Sequence, residues 1–527
     1  MHKNSAESPK TVTPDETFTS PGMLIDRKSR LYIIGAALLA LFLSALDTLV
    51  MGAAIPTIVA DLGGLHLYSW VFTAYLLTRA ISLPIFGKLC DLFSNRNLYI
   101  ISIAIFLLSS ICAGIANSMT QLTLSRALQG VGAGGNFALA YIVLADISAP
   151  EKRGKMMALI SFVWGLSSVL GPTLGGFIVH YVSWRWIFFI NIPLGGLALI
   201  GILIYLKETR EKKREASIDY LGALTLSMTI FALLTAFLLG GRNYSWTSPQ
   251  IILLSLITII SAITFYHVEK RARDPILPLG FFRVPGFSIG NGSAFFASFG
   301  IFALSAYSPL FIQGALGKTP AQLGIAMVPL SLGWSAGAWA CGQLAHLLKE
   351  KPSALLGSYL LVAGSGMTIF FSTSTTLVSC SVVLAIAGLG MGFVSISTLL
   401  LVQNSLSDSD LGVATASHQF SRTLGGTIGI GVSGSFVTAK LSETIDSLIN
   451  SGVSEKIQMS LSTNLHHGVE NLLRPEVQGM LTTNVQKLLQ NAIAQGVSMV
   501  FWLSLIASIV CLFFSHKLPK QNSGDDS

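Results

Sequence analysis

Long apolar stretches, separated by short polar segments, recur from one end of this chain to the other. A helix needs about 20 apolar residues to cross the hydrocarbon core of a bilayer, and each stretch is about that long. We therefore predict an all-α membrane protein with about fourteen transmembrane helices. The predicted spans are 31–54, 67–88, 98–116, 119–145, 155–181, 186–206, 219–240, 248–268, 287–313, 321–346, 354–372, 377–402, 412–437 and 495–515.

Three segments differ from this pattern. Residues 1–30 are polar and carry no periodic apolar positions, which predicts a disordered tail, and 516–527 form a second polar tail. The stretch 438–494 is too polar to span a membrane, yet its apolar residues recur at helical spacing. We predict a small helical loop there, on the side of the membrane opposite the tails.

Composition supports a membrane protein and also indicates how the chain is oriented in the membrane. The chain is 52% hydrophobic and 11% charged, with a mean hydropathy of +0.66, which excludes an ordinary soluble globular protein. Lysine and arginine concentrate in the loops on one side of the predicted bundle, and such loops stay in the cytoplasm. Both tails are therefore predicted to be cytoplasmic, with the chain in the cytoplasmic (inner) membrane. The net charge of +8 requires no nucleic-acid partner, because basic loops facing the inner leaflet account for it.

The chain also repeats itself. The glycine run that begins at Gly130 in the fourth span returns at Gly388 in the twelfth. Gly154 and Gly412, which open the fifth and thirteenth spans, are the same number of positions apart. We therefore predict two six-helix halves with two helices inserted between them, an arrangement typical of alternating-access transporters. The two halves and the insertion are 31–206, 287–515 and 219–268.

Asp47 is the only acidic residue deep inside an apolar stretch. A charge near the bilayer centre costs roughly 3 kcal/mol or more, so an ionisable residue there is a functional-site hypothesis. Arg126 lies at a similar depth in the fourth span, and Arg79 lies deeper in the second. A guanidinium favours the ionised carboxylate and apolar surroundings favour the protonated one, so Asp47 can exchange protons near physiological pH. We predict a proton-coupling site of Asp47, Arg126 and Arg79, in which Arg79 is either a second counter-charge or a residue that faces the substrate path. The alternative for Asp47 and Arg126 is a static ion pair that only fixes packing.

Several motifs together resemble a known family. They include GKLCDLFSNR at 87–96, LSRALQGVGAGG at 124–135 and GLSSVLGPTLGG at 165–176. The chain resembles the major facilitator superfamily, in its fourteen-helix drug:proton antiporter branch of EmrB/QacA type. The resemblance implies a proton-coupled antiporter that exports hydrophobic or cationic drugs by alternating access.

Two of these motifs indicate conformational roles. Asp91, with Arg96 nearby, is expected to hold the cytoplasmic side closed through charge-assisted contacts. The fifth span is rich in small residues, which we expect to pack against the other half near the outer mouth. The alternatives are a solvated loop and ordinary helix packing. The predicted gating residues are Gly87, Asp91, Arg96, Gly165, Gly171, Pro172, Gly175 and Gly176.

A substrate cavity is expected between the halves. Aromatic surfaces bind hydrophobic ligands with little shape specificity, and polar residues deep in a span need a partner or an aqueous cavity. The candidate cavity residues are Asn136, Phe137, Tyr141, Trp164, Tyr307, Trp334, His418 and Arg422. Helix packing is the alternative role for each aromatic residue.

Other functions find little support in the sequence. No metal-ligand spacing or nucleophile motif occurs in a suitable context, so we predict no enzyme activity, no metal and no cofactor. The expected partners are small substrates, protons and the lipid bilayer, with a functional monomer and a periplasmic adaptor only if the host has an outer membrane. Two alternatives stay open: an exporter of a dedicated lipid or metabolite, and a non-transporting receptor or scaffold.

Overall fold

A computed structural model describes residues 26–62, 67–207, 219–241, 244–344, 348–450 and 483–519. Within these ranges the structure is helical, and its only β pairing is an isolated bridge between Gly240 and Tyr244. The predicted all-α membrane fold is confirmed.

Eleven helices in the described ranges are long and apolar enough to cross a membrane. Three further long helices complete the bundle: Pro150–Tyr181, Glu350–Thr368 and Leu411–Asn450. The helices are α1 Arg27–Leu62, α2 Tyr68–Leu92, α3 Asn95–Gly114, α4 Met119–Asp146, α5 Pro150–Tyr181, α6 Trp186–Tyr205, α7 Tyr220–Leu239, α8 Pro249–Glu269, α9 Pro285–Leu310, α10 Pro320–Leu344, α11 Glu350–Thr368, α12 Leu377–Asn404, α13 Leu411–Asn450 and α14 Thr483–Lys517.

The helices pack into two groups with a pair between them. Helices α1 to α6 contact one another, and so do α9 to α14. Helices α7 and α8 pack together, and α7 also lies against α2 of the first group and α13 of the second. The groups meet through α2 with α13 and through α5 with α10. Below, α1–α6 are called the first half and α9–α14 the second half.

Three helices extend more than five residues beyond the predicted boundaries. Helix α1 begins at Arg27, inside the predicted tail 1–30, because the carboxylate of Asp26 accepts a hydrogen bond from Ser29 N at 2.9 Å and caps the first turn. It also continues to Leu62, past the predicted end at 54. Helix α13 continues to Asn450 and α14 starts at Thr483, so both ends of the predicted 438–494 loop belong to these long helices.

Parts of three predicted segments lie outside the described residues. These parts are residues 1–25 of the first tail, 451–482 of the loop and 520–527 of the second tail.

The halves are in close contact at one end of the bundle. This end, called the basic end below, carries the loops rich in lysine and arginine. A Cβ added to Gly87 of α2 would overlap the Cβ of Ala416 in α13. A Cβ added to Gly342 of α10 would overlap the Gly154 carbonyl of α5. Glycine is required at both crossings, and the bundle is closed at its basic end.

Candidate functional site

Asp47 and Arg126 form a fully buried ion pair between α1 and α4. The Asp47 Oδ2 and Arg126 NH1 atoms are 2.5 Å apart, and both side chains are completely inaccessible to solvent. Each residue lies about 30 Å along its helix from the basic end, at 1.5 Å per residue. The structure therefore brings the two residues together at the depth that the sequence predicts.

Uncharged side chains complete the contacts of the carboxylate. Gln129 Nε2 donates to Asp47 Oδ1 at 2.9 Å and to Ser110 Oγ at 2.8 Å. Asn191 Nδ2 lies 3.5 Å from Asp47 Oδ1 and 3.3 Å from Ser110 Oγ. Arg126 NH1 also donates to Gln129 Oε1 at 2.6 Å. These donors replace the water that a buried carboxylate loses inside the membrane.

Tyr75 of α2 covers the arginine. The guanidinium of Arg126 lies 4.2 Å from the centre of the Tyr75 ring, and its Nε donates to the Val71 carbonyl at 3.4 Å. The Tyr75 hydroxyl donates to the Ser44 carbonyl of α1 at 3.1 Å. The NH2 atom of Arg126 is buried and has no hydrogen-bond partner among the described residues. The arginine therefore keeps one buried donor without a described partner beside the carboxylate of Asp47.

A small cavity adjoins the ion pair. It has a volume of about 10 Å³ and is lined by Asp47 and Val50 of α1, Leu174 and Ile178 of α5, and Asn191 of α6, among others. This is about the space that one water molecule occupies. A single water there would lie against the carboxylate of Asp47.

Glycines in α4 set the position of Arg126. A Cβ on Gly130 would overlap the Thr78 hydroxyl and the Tyr75 carbonyl of α2. The Thr78 hydroxyl donates to the Ala127 carbonyl at 2.7 Å across the same crossing. Such close approach of backbones is typical of small-residue contacts between membrane helices. The GVGAG run therefore holds α4 against α2, and Arg126 reaches Asp47 from it.

Asp91 connects the two halves at the basic end. Its carboxylate accepts hydrogen bonds from Gly412 N at 2.8 Å and from Val413 N at 2.9 Å, the first backbone donors of α13. A carboxylate at a helix N-terminus is stabilised by the unpaired N–H groups and the helix dipole. The predicted latch therefore contacts the other half through backbone donors. Arg96, predicted to act beside Asp91, instead donates to the Leu203 carbonyl of α6 at 2.8 Å.

The small residues of α5 face two directions. A Cβ on Gly165 would overlap the Ser335 hydroxyl of α10, in the other half. A Cβ on Gly171 would approach Leu49, and one on Gly175 would approach Val50, both in α1 of the same half. Gly176 has no atom within 4 Å of that position.

The expectation that all the α5 glycines pack on the other half is therefore wrong. At about 100° per residue, Gly171 and Gly175 share a helix face, while Gly165 points about 120° away from Gly171. Pro172 lies within α5 between the two glycines that face α1.

Six of the predicted coupling and cavity residues meet at the interface between the halves. The Arg79 guanidinium lies 4.6 Å from the centre of the Phe137 ring and 5.4 Å from that of Trp164. The Arg422 guanidinium lies 5.3 Å from the centre of the Trp334 ring. The Tyr141 hydroxyl of the first half lies beside Arg422. This group is called the central cluster below: Arg79, Phe137, Tyr141, Trp164, Trp334 and Arg422.

Four predictions about this region need correction. Arg79, predicted to act with Asp47, contacts the central cluster instead. Asn136 accepts a hydrogen bond from Ser102 at 2.8 Å inside the first half. Tyr307 donates to the Ile430 carbonyl at 3.2 Å, and His418 Nε2 lies 2.9 Å from the Thr398 hydroxyl, both inside the second half. Asn136, Tyr307 and His418 are buried inside their own halves. The sequence does not reveal this, because helices that are apolar on most sides do not show which side faces the interface.

The sequence prediction missed four residues that complete the ion-pair site. Gln129 follows Arg126 by one turn of α4, which places both on the same face. Asn191 and Ser110 are polar residues inside apolar spans, and Tyr75 lies one turn before Arg79. Polar side chains in a span are the signal that would have identified the first three.

The described helices form two halves that are joined at one end, and Asp47 is the one acid at mid-depth among them; this arrangement is typical of a multi-pass membrane transporter. The model of the Major Facilitator Superfamily matches residues 37–430, and the chain belongs to that superfamily.

Individual relatives agree with this assignment. The chain is similar to Multidrug transporter protein MdtP of Bacillus subtilis (strain 168), with 34% identity over 503 residues that cover 93% of each chain. It is also similar to Multidrug resistance protein 3 of the same organism, with 30% identity over 486 residues that cover 92% of this chain and 94% of the relative. The solved structure of the proton:xylose symporter XylE aligns with a TM-score of 0.60 and 14% identity over 93% of this chain and 96% of that one, which shows a common fold.

Proposed function

We propose that this transporter is a proton-coupled antiporter that exports hydrophobic small molecules across the cytoplasmic membrane. The observation that carries the proposal is the buried Asp47–Arg126 pair, whose carboxylate is the only acidic side chain at mid-depth in the described helices. A carrier driven by protons needs a group that is protonated in one conformation and ionised in another. The names of the two Bacillus relatives support export of drugs.

The proposed cycle uses the ion pair as its switch. In the conformation seen here, Arg126, Gln129 and Asn191 surround the carboxylate of Asp47 with hydrogen-bond donors. Protonation of Asp47 would remove the charge that holds Arg126, and the α1–α4 contact would weaken. The halves then rock, the contact of Asp91 with α13 opens, and substrate enters from the basic end, which we assign to the cytoplasm from its lysines and arginines.

The test is transport by the full-length protein in vesicles with an imposed pH gradient. We expect the gradient to drive wild-type export, and Asp47→Asn to abolish the gradient-driven part while the protein still folds, because asparagine keeps the shape and cannot ionise. Asp61→Asn is the matched control: Asp61 is also in α1, but it pairs with Arg185 at 3.0 Å in a partly exposed position. Unchanged gradient-driven transport by Asp47→Asn would exclude the proposed role.

A dedicated lipid or metabolite substrate is the second candidate within the same mechanism. It differs from multidrug export in substrate range, so a panel of unrelated hydrophobic compounds separates the two. A non-transporting receptor would move no proton and no compound in the same vesicles.

A further inference from the structure

Two arginines from opposite halves lie at the same level in the middle of the bundle. Arg79 is about 20 Å along α2 from its basic end, and Arg422 is about 17 Å along α13 from the same end. Arg79 lies against the Phe137 ring, whose centre is 5.0 Å from that of the Tyr141 ring, and the Tyr141 hydroxyl lies beside Arg422, so the two guanidinium groups border the same small region. Two cations held in this way in a membrane interior are costly without a counter-charge.

The described residues supply no counter-charge. Neither Arg79 nor Arg422 forms an ion pair in the described part of the chain. Asp47, the only acid well inside a described membrane-spanning helix, lies further from the basic end and is already paired with Arg126 and Gln129. The positive charge of the central cluster therefore stays uncompensated within the part of the protein that is described.

Unused hydrogen-bond donors accompany the two charges. Arg422 NH1 donates to Gln419 Oε1 at 3.2 Å, and the Tyr141 hydroxyl lies beside both side chains. Arg422 Nε and Gln419 Nε2 are buried and make no close hydrogen bond among the described residues. Buried donors are normally satisfied, and one hydroxyl cannot accept from all of them, so a further acceptor fits here.

Guanidinium groups already lie against one face of three aromatic rings in the cluster. A cationic ligand would bind the faces of Phe137, Trp164 or Trp334, but guanidinium groups already lie against these rings. An incoming cation would also meet two like charges. The local chemistry therefore favours an anionic ligand with an apolar body.

We propose that the central cluster binds an organic anion: one carboxylate, sulfonate or phosphate on an aromatic or aliphatic body. The acidic group lies between Arg79 and Arg422, accepts hydrogen bonds from both guanidinium groups, and leaves the apolar body against the aromatic rings. This inference rests on the proposed export function and names its substrate class, which differs from the cationic class that the family resemblance implies.

The test uses two probes with the same apolar body and opposite charge, 4-(1-pyrenyl)butyrate and 4-(1-pyrenyl)butyltrimethylammonium. Binding to the purified full-length protein is followed by pyrene fluorescence. We expect the carboxylate to bind and the ammonium not to compete. Arg79→Gln and Arg422→Gln should each weaken carboxylate binding about tenfold or more, the effect of losing one charge-assisted hydrogen bond.

Controls separate charge from folding. Arg79→Lys keeps the charge and should retain more affinity than Arg79→Gln. Arg185→Gln removes an arginine that pairs with Asp61 at a helix end, and should leave binding unchanged. The inference is overturned if the ammonium probe binds and the carboxylate does not, or if both glutamine variants bind the carboxylate as the wild type does.

Competitors distinguish the source of the anion. Displacement of the pyrene carboxylate by oleate indicates a lipid-derived acid, and displacement by 1-naphthylacetate indicates a water-soluble aromatic acid; either supports the class. Displacement only by tetraphenylphosphonium contradicts it. If vesicles show proton movement with the cations alone, proton-coupled export stands and the anion site does not. If no compound moves protons, the proposed function fails, while the binding assay still decides the substrate class.

Discussion

The contact between Asp91 and α13 allows one perturbation to be followed quantitatively. Asp91→Asn keeps the size of the side chain but removes its negative charge and one of the two oxygens that accept hydrogen bonds from Gly412 N and Val413 N. A hydrogen bond to a charged group contributes about 1.5–3 kcal/mol, and a charge at a helix N-terminus about 0.3–1 kcal/mol. Because Asp91 is only partly buried, we use the lower limits and expect a loss of about 2 kcal/mol.

The loss of these hydrogen bonds destabilises only the conformation in which the basic end is closed. The hydrogen bonds join the two halves only while the basic end is closed, so a loss of about 2 kcal/mol shifts the equilibrium toward the open form by roughly 30-fold. Spin labels at Asn97 of the first half and Ser409 of the second, both exposed at the basic end, report the distance between the halves. We expect the population of longer distances to rise in Asp91→Asn.

Asp219→Asn provides the matched control. Asp219 also caps a helix N-terminus at the basic end, but it accepts from Gly222 N of its own helix α7 at 2.7 Å. Asp219→Asn should therefore leave the distribution of spin-label distances unchanged. Identical distributions in the wild type and Asp91→Asn would refute the reasoning, because they would show that this contact does not hold the halves together.

Two further predictions concern stability. Gly130→Ala should lower the thermal stability of the purified protein by several degrees, because its Cβ would overlap the Tyr75 carbonyl, whereas Gly176→Ala should have little effect, since that position is open; equal melting temperatures would contradict this. Hydrogen bonds from Trp184 and Arg185 lower the pKa of Asp61, so this carboxylate stabilises the fold above its ordinary pKa and loses its effect as the pH falls through the lowered value. The melting temperature of Asp61→Asn should therefore be lower than that of the wild type at pH 7, and the two should be equal in strong acid. A difference in melting temperature that grows as the pH falls would contradict this prediction.

Sequence patterns were sufficient for the fold and for the ion pair. Apolar stretches of fixed length predict spanning helices, and counting residues along rigid helices places Asp47 and Arg126 at one level. The depth of a residue in the membrane therefore follows from its position along the helix. The glycines of α4 allow this helix to approach α2 closely, and this packing sets the position of Arg126.

Rotation of the helices was not predictable in the same way. Spans that are apolar on most sides give no clear inward face, so Asn136, Tyr307 and His418 were assigned to the cavity but lie inside their own halves. The partner of Asp91 was also hidden, since it is the backbone of Gly412 and Val413, far away in the sequence. Any residue carries a backbone N–H, so no pattern of side chains could mark it.

The most direct test of the central claim is the protonation state of Asp47 itself. Infrared difference spectroscopy on the full-length protein, recorded between substrate-free and substrate-bound samples, detects the carbonyl band of a protonated carboxylic acid, and Asp47→Asn identifies the contribution of this residue. We expect a band that appears in one state, disappears in the other and is absent from Asp47→Asn. A carboxylate that stays ionised in both states would contradict proton coupling through this site.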